Sequence, residues 1–316
     1  MSIKLKDIYF ALDKIFPFAI QESWDNSGVQ VGLPNDEISG VYFATDICFE
    51  TIERAKRNQC NLIVTHHPSI FRAPKTVGVP VSEPESGISP AGILTAKLMR
   101  EKIDHIAIHT NADQCYLGTA DIVARLLELK NIETLITNSS SANFSNKEIG
   151  LGRIGEYTEK ISLLELLEKL KNILSRYFDN QVPIKYTSSD LGLKIQKIAL
   201  LPGSGDDLDF LQAARKKGAD VYITSDLRHH PALDQLTINN YYKSIGQKEL
   251  VLIDVPHSVI ESLFLRVREG ENFVGKCLLG VNGVFETKLK EVIESNKLEI
   301  KIVSEALEST DPFVFF

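Results

Sequence analysis

The chain has 316 residues, 43% apolar and 24% charged, with a formal net charge of −7 and a pI near 5.6. That is the composition of a globular protein of one large domain or two ordinary ones. The acid excess argues against broad binding to a phosphate backbone, and no run approaches the ~18 apolar residues of a membrane span.

Residues 1–20 alternate apolar and charged side chains, with Asp7, Asp13 and Lys14 among them. They lack the uninterrupted apolar stretch of a secretion signal. Cys48, Cys60, Cys115 and Cys277 are widely spaced and form no C-x-x-C pair. They read as small buried hydrophobes in a reducing compartment, so a cytoplasmic protein is expected.

Six short apolar runs read as strands buried on both faces: 40–44, 62–64, 106–108, 198–201, 221–223 and 250–253. Helical patterns lie between them. The clearest places Leu163, Leu166, Leu167, Leu170 and Ile173 three and four apart, with Glu and Lys between. Strands alternating with helices predict an α/β layered fold with a parallel or mixed sheet. The Ser- and Asn-rich stretch 138–146 reads as a linker between two lobes. The Pro- and Gly-bearing stretch 77–90 is placed to act as a flap or to be an ordinary surface loop.

One internal similarity suggests two similar lobes. Ala55-Lys56-Arg57 leads to Asn61-Leu62-Ile63-Val64-Thr65 and then His66-His67-Pro68. Ala214-Arg215-Lys216 leads to Asp220-Val221-Tyr222-Ile223-Thr224 and, a little later, His229-His230-Pro231.

Metal chemistry is suggested by three sites. His66 and His67 end an apolar strand, where neighbouring side chains diverge and can serve two ions rather than chelate one. His109-Thr110-Asn111-Ala112-Asp113 ends another. His257 and Glu261, four residues apart, share one face if the segment is helical. His and Asp/Glu are the usual donors to borderline divalent cations. The carboxyl ends of strands are where open α/β sheets bind ligands. Two ions ~3.5–4 Å apart could there share a water and lower its pKa toward ~7. The ordinary alternatives are a core histidine, a turn or cap aspartate, and a first-turn glutamate. Gly203-Ser204-Gly205-Asp206-Asp207 could cradle phosphate at a helix start, but its two acids favour capping instead. Trp24-Asp25-Asn26-Ser27-Gly28 could line a cleft or be a packed anchor. No Walker A or G-x-S-x-G motif is present.

Taken in order, Trp24-Asp25-Asn26-Ser27-Gly28, Thr65-His66-His67-Pro68 with Ile70-Phe71, His109 to Asp113, Gly203-Ser204-Gly205, Thr224-Ser225-Asp226 with His230, and His257-Ser258-Val259-Ile260-Glu261 resemble the GTP cyclohydrolase I type 2 homologue family. These are dimetal proteins also named for an interacting factor of the Nif class. The resemblance covers nearly the whole chain. It implies that His67 and Asp113 hold one metal, His66 and His257 the other, and that Glu261 bridges both. It further implies two α/β lobes, the second inserted into the first, with the metal site in the cleft between them. The expected bounds are 1–130 with 247–316 for the first lobe and 131–246 for the second. A homohexameric ring is also implied. Ser225, Pro256 and His229 depart from the family pattern without touching the five ligands.

The function expected is a dinuclear-metal-dependent hydrolase with zinc, iron or manganese. His109 or His230 would shuttle protons beside Glu261. The family name implies ring opening of GTP. No residue pattern here reads a guanine or clamps a triphosphate, so a phosphoester or other nucleotide hydrolase fits the same metals. The rival classes are a metal-bound hexameric scaffold without turnover, which would close its coordination shell, and threading of nucleic acid, which the acidic balance disfavours.

Overall fold

The computed structural model describes residues 2–79, 88–138, 149–178, 182–266, 272–273, 276–277 and 300–304. The chain divides into two units: 1–112 with 265–270 and 279–310, and 113–264 with 271–278 and 311–316. Each is built on a mixed sheet with flanking helices.

In chain order the first stretch gives α1 Leu5–Ile15, β1 Gly28–Val31, β2 Gly40–Ala44, α2 Phe49–Arg57, β3 Leu62–Thr65, α3 Pro90–Glu101, β4 Asp104–Ala107 and the single turn α4 Thr110–Asp113. The second unit follows with α5 Thr119–Leu126, β5 Lys130–Thr137, β6 Gly150–Ser162, α6 Leu163–Tyr177, β7 Lys185–Tyr186 and β8 Lys194–Ser204. It continues through α7 Leu208–Lys216, β9 Val221–Ser225, α8 His229–Ser244, β10 Val251–Asp254 and α9 His257–Arg266. Short strands β11 Asn272–Phe273 and β12 Lys276–Cys277 pair with each other, and β13 Lys301–Ser304 closes the described chain.

The first sheet has the order β1-β4-β3-β2-β13. β13, β2, β3 and β4 are parallel, and β1 runs antiparallel on the edge of β4. Strands β2 and β3 are buried along their whole length, as expected for continuous apolar runs covered on both faces. Tyr42 and Ile63 pack with Ile52, Ala55, Leu98 and Ile103 to form the core. Helix α3 starts where Ser89 Oγ accepts from Gly92 N at 3.2 Å, with Pro90 supplying the first helical φ.

The second sheet has the order β5-β6-β8-β9-β10-β7. β8, β9 and β10 are parallel, flanked by antiparallel β6 and β7. Helix α6 begins in a capping box: Ser162 N donates to Glu165 Oε2 at 2.6 Å, and Glu165 N donates back to Ser162 Oγ at 3.2 Å. Its stripe Leu163, Leu166, Leu170 and Ile173 is buried as the spacing predicts.

All six expected strands are present. Two boundary expectations are corrected. Residues 138–146 join β5 to β6, which pair antiparallel in one sheet, so they are not a division between lobes; most of that stretch, like most of 77–90, lies outside the described residues. Composition marks a solvated loop but not what the loop connects. Strand β10, expected in the first lobe beyond 247, pairs with β9 in the second sheet, because an apolar run fits either sheet equally well. Among the described residues no helix is long and apolar enough to cross a membrane.

Candidate metal centre

Strand register builds the first half of the site. Ala44 pairs with Thr65 and Thr65 with Ala107, so these residues share one row across β2, β3 and β4. Two residues beyond that row stand Asp46, His67 and His109. The ladder runs on past the strands, with His66 N donating to Ala44 O at 3.2 Å and Ile108 N to Thr65 O at 2.9 Å. It thereby fixes where each side chain leaves the sheet edge.

Three imidazoles meet there. The ring centroids of His66 and His67 are 4.9 Å apart, those of His66 and His109 5.1 Å, and those of His67 and His109 5.4 Å. Each offers a nitrogen, and the three nitrogens lie within 4.8 Å of one another, close enough to hold a metal ion. Every ring is also held by its other nitrogen. His66 Nδ1 meets the Ile108 carbonyl at 3.0 Å, His67 Nδ1 meets Asp46 Oδ1 at 2.7 Å, and His109 Nδ1 meets Asp25 Oδ1 at 2.8 Å. An oxygen acceptor at Nδ1 places the proton there and leaves the Nε2 lone pair for a cation.

Asp25 is the most heavily committed of these anchors. Its buried Oδ2 accepts from Thr110 N at 3.0 Å, Thr110 Oγ1 at 2.6 Å and Ser27 Oγ at 2.8 Å. Burial pushes its carboxyl up, but hydrogen bonds from His109, Thr110 and Ser27 outweigh this and hold it well below the usual carboxylate range. The Trp24-to-Gly28 segment is thus the seat of His109. Asn111 is structural, donating from Nδ2 to the Phe16 carbonyl at 2.8 Å.

Beneath the imidazoles lies a buried proton chain. Thr65 Oγ1 donates to the His67 carbonyl at 2.6 Å, so its oxygen must accept from His105 Nε2 at 2.7 Å. His105 Nδ1 then accepts from Ser69 Oγ at 3.0 Å. Burial pushes the His105 pKa down to about 3, so the ring is neutral with one defined tautomer.

In the second unit, His257 and Glu261 occupy successive turns of α9, and His257 Nε2 lies 2.9 Å from Glu261 Oε2. His257 Nδ1 meets Asp226 Oδ2 at 2.7 Å, and Ser204 Oγ donates to the same oxygen at 2.8 Å. With its Nδ1 proton given to Asp226, the His257 Nε2 contact with Glu261 needs a proton or a cation between the two atoms. Gly203 has φ +83, and a Cβ there would lie 2.6 Å from Glu261 Oε1. Only glycine lets the backbone come so close to this carboxylate. Asp113 ends α4 and accepts from Thr119 Oγ1 at 2.5 Å. The loop after it is tied by buried Arg153, which donates to the carbonyls of Gln114 and Cys115 at 3.2 and 2.7 Å.

The structure thus groups His66, His67 and His109 in one unit and couples His257 to Glu261 in the other. His230 is exposed at the start of α8, its ring 5.4 Å from that of His229, and it belongs to no metal-competent group among the described residues. The residues missed in the sequence are the anchor Asp46 and His105, together with the anchoring roles of Asp25 and Asp226. The available signal was positional, since Asp46 stands as far past its strand as His67 does past its own.

The chain as a whole resembles known proteins. Residues 3–269 match the Duf34/NIF3 (NGG1p interacting factor 3) family profile. The chain is 31% identical over 259 residues to a Streptomyces coelicolor protein named GTP cyclohydrolase 1 type 2 homolog, covering 82% of this chain and 81% of the relative. A Campylobacter jejuni protein of the same name is 31% identical over 280 residues, covering 87% and 90%. A Staphylococcus aureus hypothetical protein superposes with TM-score 0.76 at 25% identity, covering 100% of both chains. A Bacillus cereus protein related to NIF3 gives TM-score 0.75 at 21% identity, covering 100% and 99%, a likeness of fold. With a family match over most of its length and relatives this similar, the chain belongs to the Duf34/NIF3 family.

Proposed function

We propose that this protein is a dinuclear-metal-dependent hydrolase of nucleotides, with GTP the leading substrate and His66, His67, Asp113, His257 and Glu261 as ligands. The observation that carries the reading is a shared device. Four imidazoles each meet an oxygen acceptor at Nδ1, which leaves the Nε2 lone pair of His66, His67 and His257 to face a cation and that of His109 to face a proton. The donor set is mixed nitrogen and oxygen, which suits zinc, iron or manganese. Two such ions, when bound, supply Lewis acidity and a nucleophile near neutral pH.

The chain's own residues do the rest. Glu261 is 3% exposed, and its charge would offset that of cations held there, with little screening by water. His109, held by Asp25, presents Nε2 to take or return a proton. The GTP assignment rests on the names of the relatives, and the homohexamer on the family resemblance.

Metal analysis of protein purified without chelators should give about two divalent ions per chain. GTP incubated with zinc, iron and manganese forms should yield a pterin that fluoresces after oxidation, with Glu261→Gln as the blank. Protein with no bound ion under metal-replete, non-chelating conditions would end the proposal. Bound ions with turnover of another nucleotide alone would keep the hydrolase and discard GTP.

A further inference from the structure

Two large aromatic side chains stand exposed against the imidazole group. Trp24 is 61% exposed and Phe71 48%. Their ring centroids lie 6.0 and 5.4 Å from that of His109, at interplanar angles of 76° and 86°. Neither ring is stacked on the imidazole, so both keep π surface toward solvent. Exposed aromatics gathered at one place mark a binding surface, whereas scattered ones need no explanation.

The backbone carrying them is fixed. Trp24 precedes Asp25, whose carboxylate is fully buried. Phe71 follows Ile70, whose carbonyl accepts from Asn26 Nδ2 at 2.6 Å and whose N–H donates to Gln30 Oε1 at 3.2 Å. Rigid backbone with exposed rings is a preorganised surface, which costs little ordering entropy when something binds.

Resting on the metal-centre reading above, we propose that Trp24 and Phe71 form a stacking rim for the planar heteroaromatic ring of the substrate. The rim places that ring beside His109 and the metal-facing nitrogens. Stacking accepts any purine- or pterin-like face, which accounts for a site with no sequence pattern for reading guanine. The substrate is thereby recognised by its ring, with ribose and phosphates as secondary handles.

Trp24 is the only tryptophan, so its fluorescence reports this rim alone. Full-length metal-loaded protein is titrated with guanosine and with pterin, and separately with ribose 5-phosphate and tripolyphosphate, using excitation beyond the purine band. Saturable quenching by the ring compounds alone is expected. Phe71→Leu, which keeps apolar bulk on an exposed position, should weaken guanosine binding about tenfold, with circular dichroism and metal content unchanged. The proposal is overturned if the phosphates quench and the rings do not, or if Phe71→Leu leaves guanosine binding unchanged. Trp24 already shielded from acrylamide in the purified protein, as burial under a second copy would produce, overturns it too. Metal content of the same samples separates the two readings. Bound metal without ring quenching removes the rim, and ring quenching without bound metal removes the metal centre but keeps the rim.

Discussion

Gly203→Ala is the sharpest probe of Glu261. A Cβ at this position would lie 2.6 Å from Glu261 Oε1, where ordinary contact begins at 3.4 Å. The carboxylate or the backbone must therefore move by about 0.8 Å (3.4 less 2.6). Metal–ligand distances tolerate only about 0.2 Å, so the shift exceeds the tolerance about fourfold and detaches Glu261 as a ligand. The substitution also carries a backbone cost, because φ is +83. For alanine in that region the cost is about 1 kcal/mol. Gly218→Ala isolates the two effects: its φ is +77, and nothing lies within 4 Å of the added Cβ. Both variants should lose about 1 kcal/mol of stability in chelator, read by denaturant melts. Only Gly203→Ala should lose metal affinity, by roughly tenfold or more, in competition with a chromophoric chelator. Equal metal affinity in the two variants would show that Glu261 holds no ion.

Two further outcomes follow from the hydrogen bonds. In Asp25→Asn, the Oδ2 position stays an oxygen because three donors face it, against Asn26 N and His109 Nδ1 at Oδ1, so the new amide NH₂ faces His109 Nδ1. His109 should then carry its proton on Nε2, seen as a tautomer switch in long-range ¹⁵N correlation spectra; a ring still protonated at Nδ1 refutes the anchoring role. His105 gives a pH dependence. Its pKa is about 3 folded against 6.5 for the free side chain, so between those values the unfolded chain binds the extra proton. That stabilisation is complete above pH 6.5 and falls toward pH 3, by up to about tenfold in the folding constant per pH unit. Denaturant melts from about pH 7 to about pH 4 should show this slope in the native protein and lose it in His105→Gln; an unchanged slope removes His105 as its source.

What could be read from the sequence was local. Continuous apolar runs announced β2, β3, β8, β9 and β10, because a strand buried on both faces has no polar alternation to hide it. His66, His67, His257 and Glu261 were visible because imidazoles and an acid recur at strand ends and at helical spacing, in motifs that follow one another in the order of a known family. Three things were hidden because they are contacts between distant segments. Asp25 reaches His109 across 84 positions, and Asp226 reaches His257 across 31. The membership of β10 in the second sheet depends on its pairing with β9, and hydropathy carries no pairing information.

The internal similarity goes deeper than the sequence rhythm, and its register changes its meaning. In both units three parallel strands come from β-α-β-α-β, with an antiparallel strand that precedes them in the chain on the edge of the third. Before the second strand, Asn61 accepts from Ser39 N at 2.8 Å and Gly40 N at 3.4 Å; Asp220 accepts from Gln196 N at 2.9 Å and Lys197 N at 2.8 Å. The preceding helix ends in a left-handed residue each time, Gln59 at φ 56 and Gly218 at φ 77. Aligning Thr65 with Thr224 sets His66 and His67 opposite Ser225 and Asp226, so the His229-His230 pair is not their counterpart: it opens α8. The third strand then delivers His109 with Asp113 four residues on, and His257 with Glu261 four residues on, one position later in register. One scaffold thus offers a histidine–carboxylate turn twice. At the second strand the first unit adds two imidazoles, whereas the second adds a carboxylate that holds the histidine of its own turn. At that strand end the two units have diverged, to a pair of imidazoles in the first and to a serine and an aspartate in the second.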